Sequence, residues 1–89
     1  MLELYQAEGC PYSKKVRKQM QALGLSYVAH NPRTHGGDVR DEQAHERLLE
    51  LGGEDQIPFL VDPERDESLY ESDDIVQYLD RHYGDTGGT

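Results

Sequence analysis

The segment IPFLV, residues 57–61, limits the fold more than any other stretch of this chain. Five apolar residues in a row are too few for a helix and too uniform for a strand with one wet face. The segment is therefore expected to be a buried strand. Polar turn sequence bounds it on both sides, GGEDQ before and DPERDE after. A buried strand needs neighbours, and 89 residues leave room for one domain with a modest core. A compact two-layer fold is the largest that such a chain is expected to build.

The neighbours can be read from periodicity. MLELYQA sets Leu2 and Leu4 against Glu3 and Tyr5, the alternation of a first strand. A helical pattern then runs from Pro11 through Tyr12, Val16, Met20 and Leu23. Proline suits a first helical position, because its missing N–H would be unpaired there anyway. Gly24 is placed to end that helix in a left-handed cap. LSYVAHN reads as a second strand, and the intervening helix predicts a right-handed parallel crossover. PRTHGGD reads as a loop. Asp38 is expected to cap a helix from about Val39 to Leu51 that buries Ala44, Leu48 and Leu51, with Gly52 and Gly53 stopping it. SLYE pairs back on IPFLV as a hairpin. Ser72 is expected to cap a last helix with Asp73 and Asp74 in its first turn and Ile75, Tyr78, Leu79 and His82 on its inner stripe. The order is β-α-β-α-β-β-α over one domain, residues 1–84, and GDTGGT leads into a flexible tail over 85–89.

The charge balance narrows the function. The chain has 18 acidic and 9 basic residues, a net charge of −9, so general binding to a phosphate backbone is not expected. Three of the nine basic residues are lysines, and all three, Lys14, Lys15 and Lys18, follow the single cysteine, Cys10. Such a balance fits a protein kept soluble in high salt, where screening removes self-repulsion, and a halophilic origin is the expectation. One cysteine makes no internal disulfide, and no apolar run approaches the roughly 20 residues that cross a bilayer. With no signal-peptide pattern, the cytoplasm is the expected location. The four histidines match no zinc spacing, and no bound metal is expected. The HGGD loop lacks the lysine and the spacing of a phosphate-binding loop.

Cys10 lies where the first strand turns into the first helix. Helix N-termini carry free N–H groups and partial positive charge, which favour the thiolate of a cysteine placed there. Lys14, four residues on, is expected to share the helical face of Cys10, and Lys15, Arg17 and Lys18 add positive potential. A thiolate beside cations attacks disulfides and leaves them readily.

These residues also carry a family resemblance. GCPYS resembles the CPYC active site of glutaredoxins, within the thioredoxin fold, with Ser13 in place of the second cysteine. QIPF, residues 56–59, resembles the segment that sets a cis-proline beside the active-site cysteine. YESDDI, residues 70–75, resembles the segment that opens the last helix and holds the γ-glutamyl end of glutathione, and the Glu71–Ser72 pair also resembles the N-terminal domains of glutathione transferases. The likeness covers residues 1 to about 83. It implies a thioredoxin-like α/β fold, with a four-stranded mixed sheet in the order 2-1-3-4 and helices on both faces.

It also implies roles. Cys10 would be the nucleophile and Ser13 a hydrogen-bond donor to its sulfur. Tyr12 would flank the bound thiol, and Gln56, Ile57 and Pro58 would line it, the Ile57 backbone pairing with the ligand. The Ser72 N–H with Glu71 and Asp73 would take the γ-glutamyl group. Glutaredoxins usually carry a lysine three residues before the nucleophile, to meet the glycine carboxylate of glutathione. Here that position is Ala7, and Gln6, Lys14 and Arg33 are candidates to replace it.

Without a second thiol, a monothiol route remains. Cys10 would take glutathione from a mixed disulfide and a second thiol would release it. The expected function is thus a glutaredoxin-like oxidoreductase, with glutathione or γ-glutamylcysteine as co-substrate and thiolated proteins as partners, and a monomeric state. Halophilic archaea of similar composition tend to use γ-glutamylcysteine, which lacks the glycine carboxylate. Two alternatives stay open. One is a dimer holding a [2Fe–2S] cluster through Cys10, although CPYS differs from the CGFS typical of that class. The other is a non-catalytic, transferase-like thiol-binding module; a conjugating transferase is not expected of a sequence with no residues after 89 to form an electrophile pocket.

Overall fold

The computed structural model describes residues 1–84, and the tail expected over 85–89 lies outside the described residues. The elements follow in the order β1 (Leu2–Tyr5), α1 (Pro11–Ala22), β2 (Tyr27–His30), α2 (Glu42–Gly52), β3 (Phe59–Asp62), β4 (Glu67–Tyr70) and α3 (Ser72–Tyr83). The four strands form one mixed sheet in the order β2-β1-β3-β4. β1 runs parallel to β2 and antiparallel to β3, and β4 closes the hairpin with β3. This is the thioredoxin-like arrangement. No helix among the described residues is long and apolar enough to cross a membrane.

The sheet is covered on both faces, so the fold has three layers rather than the two expected from length. Leu2 and Leu4 of β1 and Leu60 of β3 pack under α1 and α3, against Val16, Met20, Ile75, Tyr78 and Leu79. On the other face Tyr5 and Phe59 pack under α2, against Ala44 and Leu48. Strand side chains alternate between faces, so each buried strand serves both cores. Small elements make this possible: the strands are four residues long and one short helix suffices for the second face.

The helix ends follow their local chemistry, with two corrections. Gly24 has φ 69°, and the N–H groups of Gly24 and Leu25 reach Gln21 and Met20 carbonyls at 3.1 and 2.9 Å, a Schellman closure of α1. The α2 cap is Asp41, not Asp38, and its Oδ1 accepts from the Ala44 N–H at 3.1 Å. Pro32 and Thr34 explain the late start. The Pro32 carbonyl accepts from the N–H groups of Arg40 and Asp41, and the Thr34 N–H donates to the Asp38 carbonyl, so the chain folds back on itself through Val39. Leu51, expected on the buried face, is 47% exposed. In α3 the N-cap position falls to Glu71, and Ser72 is the first helical residue. His82 is half-buried against the Tyr78 ring.

Asp62, at the end of β3, is 1% exposed. Tyr78 and Tyr83 both donate to its Oδ2 at 2.8 Å, and Arg65 lies 3.6 Å away. Burial alone would raise the pKa of this carboxyl, but the two hydroxyl donors and the Arg65 charge outweigh burial and hold it below the usual 3.8. The unfolded chain therefore binds the proton more readily, and this contribution to stability is complete above about pH 4 and lost as pH falls through the folded value. Asp62→Asn should flatten the acid limb of a stability–pH curve measured by urea unfolding; an unchanged limb would contradict this account.

Gly52 explains how α2 sits beside β4. A Cβ there would lie 2.1 Å from the Tyr70 hydroxyl, which donates to the Glu54 carbonyl and accepts from the Glu54 N–H. Gly52→Ala should cost about 1–3 kcal/mol, the usual range for overpacking. Gly53→Ala meets only its left-handed φ of 85°, in open space, and should cost about 1 kcal/mol. The two urea midpoints test the order.

Candidate functional site

Cys10 is the N-cap of α1, with extended backbone (φ −88°, ψ 118°), and only 2% exposed. In that conformation Sγ folds back over the first turn and accepts from the Ser13 N–H at 3.4 Å. The sulfur takes the place that a serine or aspartate oxygen fills at an ordinary N-cap. The positive end of the helix dipole lies beside it.

Ser13 is fully buried, and its expected bond takes a different form. The donor to the sulfur is its backbone N–H, while its hydroxyl oxygen accepts from the Ala7 N–H at 3.3 Å. Ser13 thereby satisfies a buried backbone donor at the end of β1.

Across the sulfur, the Ile57–Pro58 peptide bond is cis. The pairing of β3 with β1 begins only at Phe59, opposite Tyr5. Among the described residues no loop or cap hydrogen bond uses the Ile57 backbone. Both residues border a cavity of about 340 Å³ with Cys10 on its wall. That volume is at the lower end of small-molecule sites.

A second wall is the start of α3. Glu71 has φ 72° and ψ 116°, a conformation that few non-glycine residues adopt. It turns the chain so that Glu71, Ser72 and Asp73 all border the cavity. The Gln56 amide donates to Glu71 Oε2 at 2.8 Å and ties this wall to the residue before Ile57. Tyr12 stands at the rim, 59% exposed.

Of the ten sequence candidates, eight border this cavity, and Ser13 lies buried behind Cys10. Lys14 does not border it and lines a separate groove instead. The i,i+4 argument fails because Cys10 is a cap with extended backbone, so its side chain is not on the helical lattice that carries Lys14. Lys15 lines the same groove as Lys14, and its ammonium pairs with the Asp73 carboxylate at the cavity's edge.

Ala7 is buried, and its carbonyl accepts from the Cys10 N–H and from Arg17. Of the three candidates to replace the absent lysine, Gln6 is 1% exposed and held by Arg17 and Asn31. Only Arg33 borders the cavity. Its Nε donates to Asp55 Oδ1 at 2.7 Å, and the His45 ring lies 3.2 Å from the same oxygen. Burial would raise the Asp55 pKa, but the Arg33 bond and charge, with the His45 ring close by, outweigh burial and hold the carboxyl below its usual range. His35 also borders the cavity. Nothing in PRTHGGD marks this histidine, because only the fold-back of Arg33 onto Val39 brings the loop there.

The family model described as glutathione S-transferase, N-terminal domain, matches residues 4–87. No curated protein matches the sequence. Among solved structures, a diazinon-metabolizing glutathione S-transferase of the silkworm Bombyx mori is 26% identical with a TM-score of 0.73, over 100% of this chain and 40% of that one. Glutathione S-transferase isozyme E7 of Drosophila melanogaster is 27% identical with a TM-score of 0.78, over 97% and 36% of the two chains. The glutathione transferase URE2P6 of Phanerochaete chrysosporium, in complex with oxidized glutathione, is 30% identical with a TM-score of 0.70, over 93% and 36%. The chain spans about two fifths of the length of these structures or slightly less.

Ser13→Ala removes the acceptor of the buried Ala7 N–H. It should destabilise the chain by about 1–3 kcal/mol, the cost of an unpaired buried donor. Urea unfolding measures the loss, and a change under about 0.5 kcal/mol would show that the Ala7 N–H finds another partner.

Proposed function

Because the chain belongs to the glutathione S-transferase N-terminal domain family, we propose that it binds glutathione or a closely related γ-glutamyl thiol and that Cys10 exchanges that thiol with mixed disulfides. The observation that carries this reading is the meeting of three features in one cavity. They are the capped Cys10 sulfur, the unpaired Ile57 backbone beside cis-Pro58, and the Glu71–Asp73 start of α3. The complex of URE2P6 with oxidized glutathione supports it from outside.

In this reading the ligand's peptide backbone pairs with Ile57 and its α-amine and α-carboxylate meet Glu71, Asp73 and the Ser72 N–H. Gln56 and Tyr12 border the ligand, and Arg33, which borders the cavity together with His35, offers a cationic edge. The Cys10 thiolate attacks the glutathione sulfur of a mixed disulfide. The partner thiolate leaves, taking a proton from solvent, and Cys10 holds glutathione as a disulfide. A second thiol, deprotonated as it attacks, displaces the Cys10 thiolate and leaves as the oxidised dimer. In sum one free low-molecular-weight thiol is consumed and one partner thiol released, the disulfide bond passing from the partner to the oxidised dimer, and Cys10 ends as it began. Ser13 cannot intercept the intermediate, which makes the route monothiol.

Turnover of a glutathionylated peptide tests the reading, with Cys10→Ser as the control. Turnover by the native chain and its loss in Cys10→Ser, by a factor of about 10³ or more, is the expected result. Glutathione binding without turnover would replace exchange by a non-catalytic thiol-binding role, and no binding would overturn both. Glutathione and γ-glutamylcysteine compared in the same assay show whether Arg33 reads the glycine carboxylate.

A further inference from the structure

A second concavity adjoins the first. About 440 Å³ in volume, it lies between the β1–α1 turn and the connection from β2 to α2, residues 31–41. Glu8 and Gly9 line it from the turn, and Arg33, His35 and Arg40 line it from the connection. Arg33 and His35 also border the Cys10 cavity, and Gly9 is the residue before Cys10, so the two concavities meet beside the sulfur.

Its walls are fixed, and their charges are unevenly paired. The Pro32 carbonyl accepts from the Arg40 N–H at 2.9 Å, and the Thr34 hydroxyl accepts from the Asp38 N–H at 3.0 Å, which braces the connection across its own bend. Arg33 is matched by Asp55. Glu8 is engaged by Arg17 at 3.7 Å and by the Gln6 amide at 3.2 Å. Arg40 is exposed, and among the described residues its guanidinium has no hydrogen bond or ion pair; the His35 ring has none either. The N–H groups of Glu8 and Gly9 likewise donate to no protein group among the described residues. The concavity thus offers donors and one free guanidinium, while its own carboxylate is already held. A guanidinium with all its donors free suits a carboxylate from outside.

The use of this concavity rests on the exchange reading above. There the glutathione half of a mixed disulfide fills the Cys10 cavity, so the partner half leaves that cavity at the sulfur, beside the second concavity. We propose that the second concavity binds an acidic peptide segment of the partner protein next to its disulfide-bonded cysteine, with a carboxylate meeting Arg40 and main-chain carbonyls meeting His35 and the Glu8 and Gly9 N–H groups. Net charge favours the opposite partner, because a chain of −9 attracts basic peptides and repels acidic ones. A preference for acidic sequence therefore has to come from the local placement of Arg40, and this separates the two accounts.

The test is fluorescence anisotropy of labelled peptides about eight residues long, each with one alkylated cysteine flanked by glutamates, by glutamines or by lysines. The glutamate peptide should bind saturably, about threefold or more tighter than the glutamine peptide, with the lysine peptide weakest. Arg40→Glu should weaken the glutamate peptide about fivefold or more and leave the glutamine peptide unchanged, while Arg40→Lys should keep most of the preference. Arg81→Glu makes the same change in net charge at an exposed position of α3 outside the concavity, and should alter neither. Circular dichroism confirms that each variant folds. The proposal is overturned by no saturable binding of the glutamate peptide, by equal binding of all three, by tightest binding of the lysine peptide, or by a preference that Arg40→Glu leaves intact. The same peptides, glutathionylated instead of alkylated, separate this site from the exchange reading. Acidic preference in binding with no turnover of any peptide keeps the site and removes exchange; turnover with no acidic preference in binding keeps exchange and overturns the site.

Discussion

The turn from β1 to α1 carries the chain from one core to the other, and the site depends on how its polar groups are paired there. Leu2 and Leu4 belong to the core under α1 and α3, while Tyr5, Ala7 and Cys10 belong to the core under α2. Val16 and Met20 then return to the first core. A buried turn between a strand and a helix must satisfy its N–H and C=O groups without a strand partner. Ser13 accepts from the Ala7 N–H, the Ala7 carbonyl accepts from Cys10 and Arg17, and the Cys10 sulfur accepts from Ser13. These bonds set the thiol at the mouth of the turn, so its position is a consequence of the fold and not of a mobile loop.

The remaining walls are held from other directions. The Gln56–Glu71 bond joins the segment before β3 to the start of α3. The left-handed φ of Glu71 lets β4 pass directly into α3 and turns the Glu71–Asp73 segment toward the sulfur. Arg33 is anchored by Asp55, one residue before Gln56. Three separate segments thus meet around one volume, each fixed by polar contacts at its own edge. The acidic start of α3 and the Arg33 edge give the cavity opposed charges within a protein of net charge −9.

Much of this was legible in the residues. IPFLV had to be a buried strand, and β3 is one of the two inner strands, paired on both sides. Pro11 and Gly24 bounded α1, and Gly52 with Gly53 bounded α2, because proline and glycine act through backbone geometry that needs no distant partner. The start of α2 was not legible. Asp38 and Asp41 are equally good caps in isolation, and the choice fell to the Pro32 and Thr34 contacts of the preceding loop. Ser72 likewise has the residue type of a cap but lies one position inside α3, where Glu71 accepts the unusual backbone.

The sequence by itself determined the element order, the placing of Cys10 at a strand-to-helix turn and the presence of Ser13 where a second thiol could stand, since each is a matter of local pattern and residue type. Only the tertiary structure decided which charges face which cavity. Lys14 looked adjacent to the thiol and lines a different groove, and Gln6 is consumed by internal bonds. Arg33 and His35, distant in sequence, border the cavity. The physical reason is that a side chain's direction depends on the backbone conformation beneath it and on the partners that compete for it. At Cys10 the extended cap breaks the helical spacing from which neighbours are counted, and the loop that carries His35 is bent by contacts that no linear pattern records.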